Sequence, residues 1–191
     1  MHGFLKKSRL LPRWLYAVGA TAAGCLMFCP GFAQVSREYD LKAAFLYNFI
    51  TFTEWPADAF HSSESPYVVG VVGEDPFGSA LDEIVNGERI KGRPLVVRRF
   101  RRLDDLHNCH ILFISSSEAR RLPDTLRRLR GRPVLTVSDM PGFTAAGGGI
   151  GFTSTTKIGL NINPGALRDA NLVVSSKLLR LARLTEAEAN P

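Results

Sequence analysis

The sequence predicts an α/β fold, a three-layer sandwich in which helices flank a largely parallel sheet, with a C-terminal antiparallel hairpin. Short runs rich in β-branched residues alternate with segments of helical periodicity as far as Asp139, a pattern typical of parallel sheets covered on both faces. Beyond Asp139 the alternation stops. Two short apolar runs separated by a polar turn then indicate the hairpin.

The first predicted element is a helix over residues 38–53. Its apolar residues recur at three- and four-residue spacing, as Leu41, Phe45, Phe49 and Phe52. Trp55-Pro56 ends this helix, because a residue before proline is disfavoured in the α region.

Four strands are predicted to form the parallel sheet: residues 67–72, 95–100, 110–115 and 133–138. After the first of these, Asp75 is predicted to cap a helix that has Pro76 in its first turn and Gly87 at its left-handed end. A short helix or turn is expected at 101–107, and a longer helix from Pro123 to Gly131.

The C-terminal part is predicted to contain hairpin strands at 149–153 and 157–161, then a helix over 163–169. A brief strand at 172–174 follows, and Ser175 is expected to cap the last helix. The glycine run at 147–151 lacks the spacing of a dinucleotide loop and the Lys-Ser/Thr of a P-loop. We interpret it as a turn or a close backbone approach.

The N-terminus predicts export to the periplasm. Four basic residues precede an apolar run at 14–28, and the small residues Gly31 and Ala33 stand before a plausible cleavage point. We expect a signal peptide over 1–33 and a single domain over 34–191. An uncleaved anchor is one alternative, although the run is short for a span. Lipid attachment at Cys25 is another, but the usual large apolar residue before it is missing.

Charge and cysteine content exclude several classes of function. The chain carries +6, but four of its 24 basic residues lie in the predicted signal, which leaves about +2 afterwards and gives no indication of nucleic-acid binding. Cys109 would be the single remaining cysteine, predicted to be a buried thiol, with pairing between chains as the alternative. Strand alternation sends Cys109 and His110 to opposite faces, which argues against a metal site.

No sequence motif indicates catalysis or a cofactor. Ser115–Ser117 follow a strand, but the GxSxG elbow is absent and a helix cap explains these serines. The alternative hypothesis is an enzyme or small-ligand carrier at the carboxyl ends of the strands, which would use Glu74, Asp75, the three serines and Asp139.

Several blocks resemble the YfiR family of bacterial periplasmic proteins. The most specific are residues 39–49 (YDLKAAFLYNF) and 52–56 (FTEWP). Further blocks follow in the family's order, at 69–77, 109–115, 134–137, 162–163 and 175–182. The resemblance covers almost the whole chain after the predicted signal.

The resemblance implies a dimeric periplasmic regulator that represses an inner-membrane diguanylate cyclase, YfiN in the best-known system, or acts on another sensor such as a histidine kinase. Binding to the enzyme's periplasmic region would hold its cytoplasmic output off. The best-known members carry structural disulfides, and one of their cysteines corresponds to Cys109. Its partner is absent here, so redox control by that bond is not expected.

On this hypothesis the candidate partner-binding residues are Glu54 and Trp55, after the first helix, with Asn163, Ser176 and Lys177 near the hairpin and last helix. Each also has a structural interpretation. Trp55 could fill the edge of the core, Ser176 could cap a helix, and Asn163 could be a turn residue.

Overall fold

The computed structural model describes residues 30–101, 109–154, 158–181 and 183–184. Most of the predicted signal, including Cys25, and the helix or turn expected at 101–107 lie largely outside the described residues. The helices are α1 (Pro30–Phe52), α2 (Ala80–Val85), α3 (Leu122–Leu129), α4 (Pro164–Asp169) and α5 (Ser176–Leu181), with 3-10 helices at Ala57–Ala59 and Ser116–Arg121. None of the helices in the described ranges is long and apolar enough to cross a membrane.

The strands are β1 (Thr53–Glu54), β2 (Tyr67–Val72), β3 (Arg89–Ile90), β4 (Arg93–Phe100), β5 (Ile111–Ile114), β6 (Leu135–Ser138), β7 (Ile150–Ser154), β8 (Ile158–Ile162), β9 (Val173–Val174) and β10 (Arg183–Leu184). Eight of them form one sheet in the order β10-β8-β7-β6-β5-β2-β4-β3. Only the β7–β8 and β3–β4 pairs in it are antiparallel. The predicted fold class and hairpin are confirmed.

Alternate side chains of the central strands enter two separate cores. Val69 and Phe113 point to the face covered by α1 and α2. Val68 and Leu112 point to the opposite face, which α3 covers. Because each strand contributes to both cores, the sheet joins the three layers into one packed unit.

Three local predictions about helix starts were wrong. Helix α1 begins at Pro30, eight residues before the predicted start. The Asp75 carboxylate accepts a 2.8 Å hydrogen bond from the Phe77 amide in a turn, and α2 starts only at Ala80. The Ser175 hydroxyl makes no hydrogen bond, so it does not cap α5. The Ser175 backbone carbonyl instead accepts hydrogen bonds from the Leu178 and Leu179 amides.

The glycine run is confirmed as a close backbone approach. A Cβ at Gly148 would overlap the Phe143 ring, and one at Gly149 would lie 2.9 Å from the Thr136 carbonyl oxygen. The run therefore lets the loop before β7 lie directly on the sheet.

Candidate partner-binding surface

Strands β1 and β9 form a small antiparallel sheet beside the main one, at the end of α1. Glu54 pairs with Val173, and both are exposed, Val173 to 63%. The Ser175 amide donates a 2.8 Å hydrogen bond to the Phe52 carbonyl, which holds the start of α5 against the end of α1. This arrangement places exposed Ser176 and Lys177 next to the small sheet. We call Glu54, Val173, Ser176 and Lys177 the β1–β9 surface.

Trp55 follows Glu54 in the chain and is half-buried in an aromatic cluster. Its ring packs edge-on against Tyr67, with centroids 5.6 Å apart, and against His110 at 5.9 Å. The indole nitrogen is buried without a hydrogen-bond partner. Trp55 thus packs against the edge of the core.

His110 is the buried centre of that cluster. The Val68 amide donates a 3.1 Å hydrogen bond to Nδ1, so the neutral ring carries its proton on Nε2, which has no hydrogen-bond partner. Phe60 stacks on the imidazole at 4.5 Å. Burial lowers the pKa of His110 to about 4. The Ala59 backbone raises this pKa and the positive charge of Arg93 lowers it, but both effects are smaller than that of burial.

Asn163 is buried and separate from the β1–β9 surface. Its side-chain oxygen accepts a hydrogen bond from the Ala166 amide at 3.1 Å and caps α4. Its Nδ2 donates to the Thr144 carbonyl at 3.0 Å. The structure therefore gathers Glu54, Ser176 and Lys177, and places Asn163 inside the domain.

Val173 is the surface residue that the sequence analysis missed. The run Leu172-Val173-Val174 predicts a brief strand, and alternation within it turns Val173 outward, between buried Leu172 and half-buried Val174. That alternation was the available signal, but three adjacent apolar residues do not show which of them faces solvent.

The residues of the alternative strand-end site are engaged in local structure. The Ser117 hydroxyl accepts a 2.9 Å hydrogen bond from the Glu74 amide, and Ser115 caps the 3-10 helix that follows it. Asp75 forms an ion pair with Arg99, at 2.6 Å. These contacts stabilise strand ends and give no nucleophile paired with a base. No group of three or more His, Cys, Asp or Glu side chains arranged to hold a metal occurs within the described ranges.

A family model described as YfiR/HmsC-like matches residues 39–183. The chain belongs to the YfiR/HmsC-like family. No curated protein matches the sequence. The matched region begins at the block that resembled the family most and ends within β10, so it contains the β1–β9 surface and both cores.

The block at 39–49, which resembles the family most, contains Lys42, and this residue forms a buried ion pair. Lys42 is 2% exposed, and its ammonium lies 2.7 Å from both Glu38 and Asp139. The Tyr39 hydroxyl donates to the same Asp139 oxygen at 2.8 Å. Burial and this carboxylate raise the pKa of Tyr39. The cluster fixes α1 over the carboxyl end of β6, which is a structural role.

Cys109 is a free, buried thiol, as predicted. Its side chain lies in the core beneath α3, whereas His110 points to the aromatic cluster, so the predicted opposite orientation is confirmed. Burial raises the pKa of the thiol to about 12. At neutral pH the thiolate is scarce, which disfavours a redox role for this family member.

Proposed function

We propose that this chain is a periplasmic regulator that docks on the periplasmic region of an inner-membrane signalling enzyme, most simply a diguanylate cyclase, and represses it. The supporting observation is membership of the YfiR/HmsC-like family across residues 39–183. The geometry agrees with a binding role, since the polar residues at the strand ends are used in local structure.

We propose the β1–β9 surface as the docking site. Val173, an exposed aliphatic side chain, is paired across the small sheet with charged Glu54, and exposed Lys177 follows it four residues later in the chain. This mixture resembles the apolar centre and polar rim of protein interfaces. Trp55 would position this surface through its contacts with Tyr67 and His110. Of the predicted residues, Asn163 would act only indirectly, by capping α4 ahead of β9.

The proposal also includes a homodimer, as the resemblance to the family implies. Sedimentation analysis of the purified protein tests this part. A mass of one chain across the micromolar range would contradict it.

The decisive experiment measures cyclic di-GMP in the native host after deletion of the gene and complementation with variants. Deletion is expected to raise cyclic di-GMP, and the wild-type gene to restore the low level. Val173→Asp should fail to restore it, because a carboxylate in the apolar centre weakens docking by at least about tenfold. The matched control is Leu41→Asp, since Leu41 is the other exposed large aliphatic residue among those described, at 50%.

The outcomes separate the function from the site. If Leu41→Asp fails and Val173→Asp succeeds, with equal amounts of both proteins, repression stands but the docking site is wrong. If deletion leaves cyclic di-GMP unchanged, and crosslinking in the host captures no membrane enzyme with a periplasmic segment, the proposed function is contradicted.

A further inference from the structure

A cavity of about 600 Å³ opens between α3, α4 and the loop that precedes β7. Thr136 and Val134 line it, so it lies at the amino end of β6, the opposite end from Asp139. Its volume is in the range of small-molecule sites, roughly 300–1,000 Å³. None of the candidate strand-end residues lines it.

The charged lining of this cavity is mostly basic. Arg127, Arg130 and Arg168 line it, against the single carboxylate of Asp169. Arg127 is paired with Asp124, whereas no carboxylate in the described part of the chain pairs with Arg130 or Arg168. The Arg168 guanidinium lies over Gly165, 3.9 Å from the position that a Cβ would take there. Two guanidinium groups, one from the residue that ends α3 and one from α4, thus remain available at one cavity.

The rest of the lining is partly apolar. Its apolar members come from α3, α4 and the start of β6, and include Leu126, Leu129, Val134, Ala166 and Ala170. The polar side chains in the floor are already satisfied, because Thr136 accepts a hydrogen bond from the Gly149 amide at 2.9 Å and Asn163 caps α4. Ligand recognition would therefore depend on the arginines and the apolar wall.

We propose that this cavity binds a small organic anion, with its phosphate or carboxylate group on Arg130 and Arg168 and its apolar or aromatic body against Leu126 and Val134. Guanidinium groups suit this role because they donate two parallel hydrogen bonds to either oxyanion. Asp169 and the carbonyl end of α3 oppose the anion, so the affinity is modest. This site does not depend on the proposed regulatory function.

The test is an NMR titration of the ¹⁵N-labelled protein with phenyl phosphate, phenylacetate and inorganic phosphate as probes. Three glycines line the cavity, Gly131, Gly147 and Gly165, and their amides report on binding there. At least one aromatic probe is expected to shift these amides saturably, with a Kd below about 1 mM. Inorganic phosphate should bind more weakly, because it lacks the apolar body.

Two variants and a matched control locate the site. Arg130→Gln/Arg168→Gln should weaken binding at least tenfold. Ala146→Glu, at an exposed lining position, should do the same by repelling the anion without removing a cation. Arg98→Gln/Arg120→Gln removes the same charge from exposed positions outside the lining and should bind like wild type.

Several results would overturn the proposal. Shifts that do not saturate, or that spread evenly over the surface, would show only general attraction of anions. Equal loss of binding in the Arg98→Gln/Arg120→Gln control would do the same. If inorganic phosphate binds as tightly as phenyl phosphate, the apolar part of the proposal is wrong. A preference between phenyl phosphate and phenylacetate identifies which oxyanion the site selects.

Discussion

At the scale of single residues, His110 combines burial with an incomplete set of hydrogen bonds. It is 2% exposed and surrounded by Trp55, Phe60 and Tyr67, and its Nε2 has no hydrogen-bond partner. This environment accepts a neutral imidazole but disfavours an imidazolium. Protonation of His110 therefore destabilises the folded protein.

We predict that stability falls as the pH drops from about 6.5 towards 4. The pKa of His110 is about 4 in the folded protein, below its ordinary 6.5, so the unfolded state binds more protons between those values. The loss should reach about 2 kcal/mol by pH 5. Urea unfolding at pH 7 and pH 5 measures it.

Two variants check that assignment. His110→Gln cannot titrate and should flatten the pH dependence, whatever its effect on absolute stability. His61→Gln removes an exposed histidine and should leave the slope unchanged. An unaltered slope in His110→Gln would show that another group is responsible.

We predict that Cys109 resists thiol reagents in the folded protein. Its pKa of about 12 leaves little thiolate, and its side chain is buried under α3. In a Cys25→Ser/Cys29→Ser background, a chromogenic disulfide reagent should react slowly at pH 8 and at once in denaturant. Ser176→Cys, at an exposed position, is the positive control. Rapid labelling of native Cys109 would contradict its burial.

At the scale of elements, the cluster around Lys42 fixes α1 on the sheet. The Lys42 ammonium forms ion pairs with Glu38 on the same helix and with Asp139 at the end of β6. Removing Asp139 leaves the buried ammonium with only Glu38, whose side chain is one-third exposed, whereas removing Lys42 and Asp139 together also removes the buried charge. The losses in the free energy of unfolding caused by substituting Lys42 and Asp139 should therefore be strongly non-additive.

We predict that Asp139→Asn lowers the free energy of unfolding by about 3 kcal/mol. The double variant Lys42→Met/Asp139→Leu should lose less than the two single variants together. Asp124→Asn breaks the exposed ion pair with Arg127 and should cost about 1 kcal/mol or less. Additive losses in chemical denaturation would show that Lys42 and Asp139 are not coupled.

At the scale of the whole molecule, one sheet is shared by two cores. Leu46 of α1 is fully buried in one, and Leu129 of α3 is buried in the other. Strands β2, β4 and β5 send alternate side chains into both. Neither helical layer can be lost without exposing the same strands to water.

We therefore predict a single cooperative unfolding transition. Leu46→Ala and Leu129→Ala should each cost about 2–5 kcal/mol and move the whole transition, although they lie in different layers. Tryptophan fluorescence and far-ultraviolet circular dichroism should report the same midpoint for each variant. Separate midpoints in either variant would show that one layer unfolds independently.

Much of the fold is predictable from local pattern. The strand at 67–72 has the predicted bounds, because a continuous β-branched run is a strong local signal. Gly87 adopts the expected left-handed conformation, with φ of 75°, and Gly131, at the predicted end of the next long helix, is also left-handed, with φ of 74°. In contrast, β1, β3 and β10 each have only two residues, too few to produce a periodic signal, whereas β9 lies within the brief strand predicted at 172–174.

The sequence by itself determined the fold class, the main strands and, through the blocks at 39–49 and 52–56, the family. Only the tertiary structure decided that Asn163 is buried, that Val173 is exposed, and that Arg130 and Arg168 line one cavity. Element type depends on neighbours along the chain, so a pattern can predict it. Exposure and the meeting of distant side chains depend on packing between elements, which local pattern does not specify.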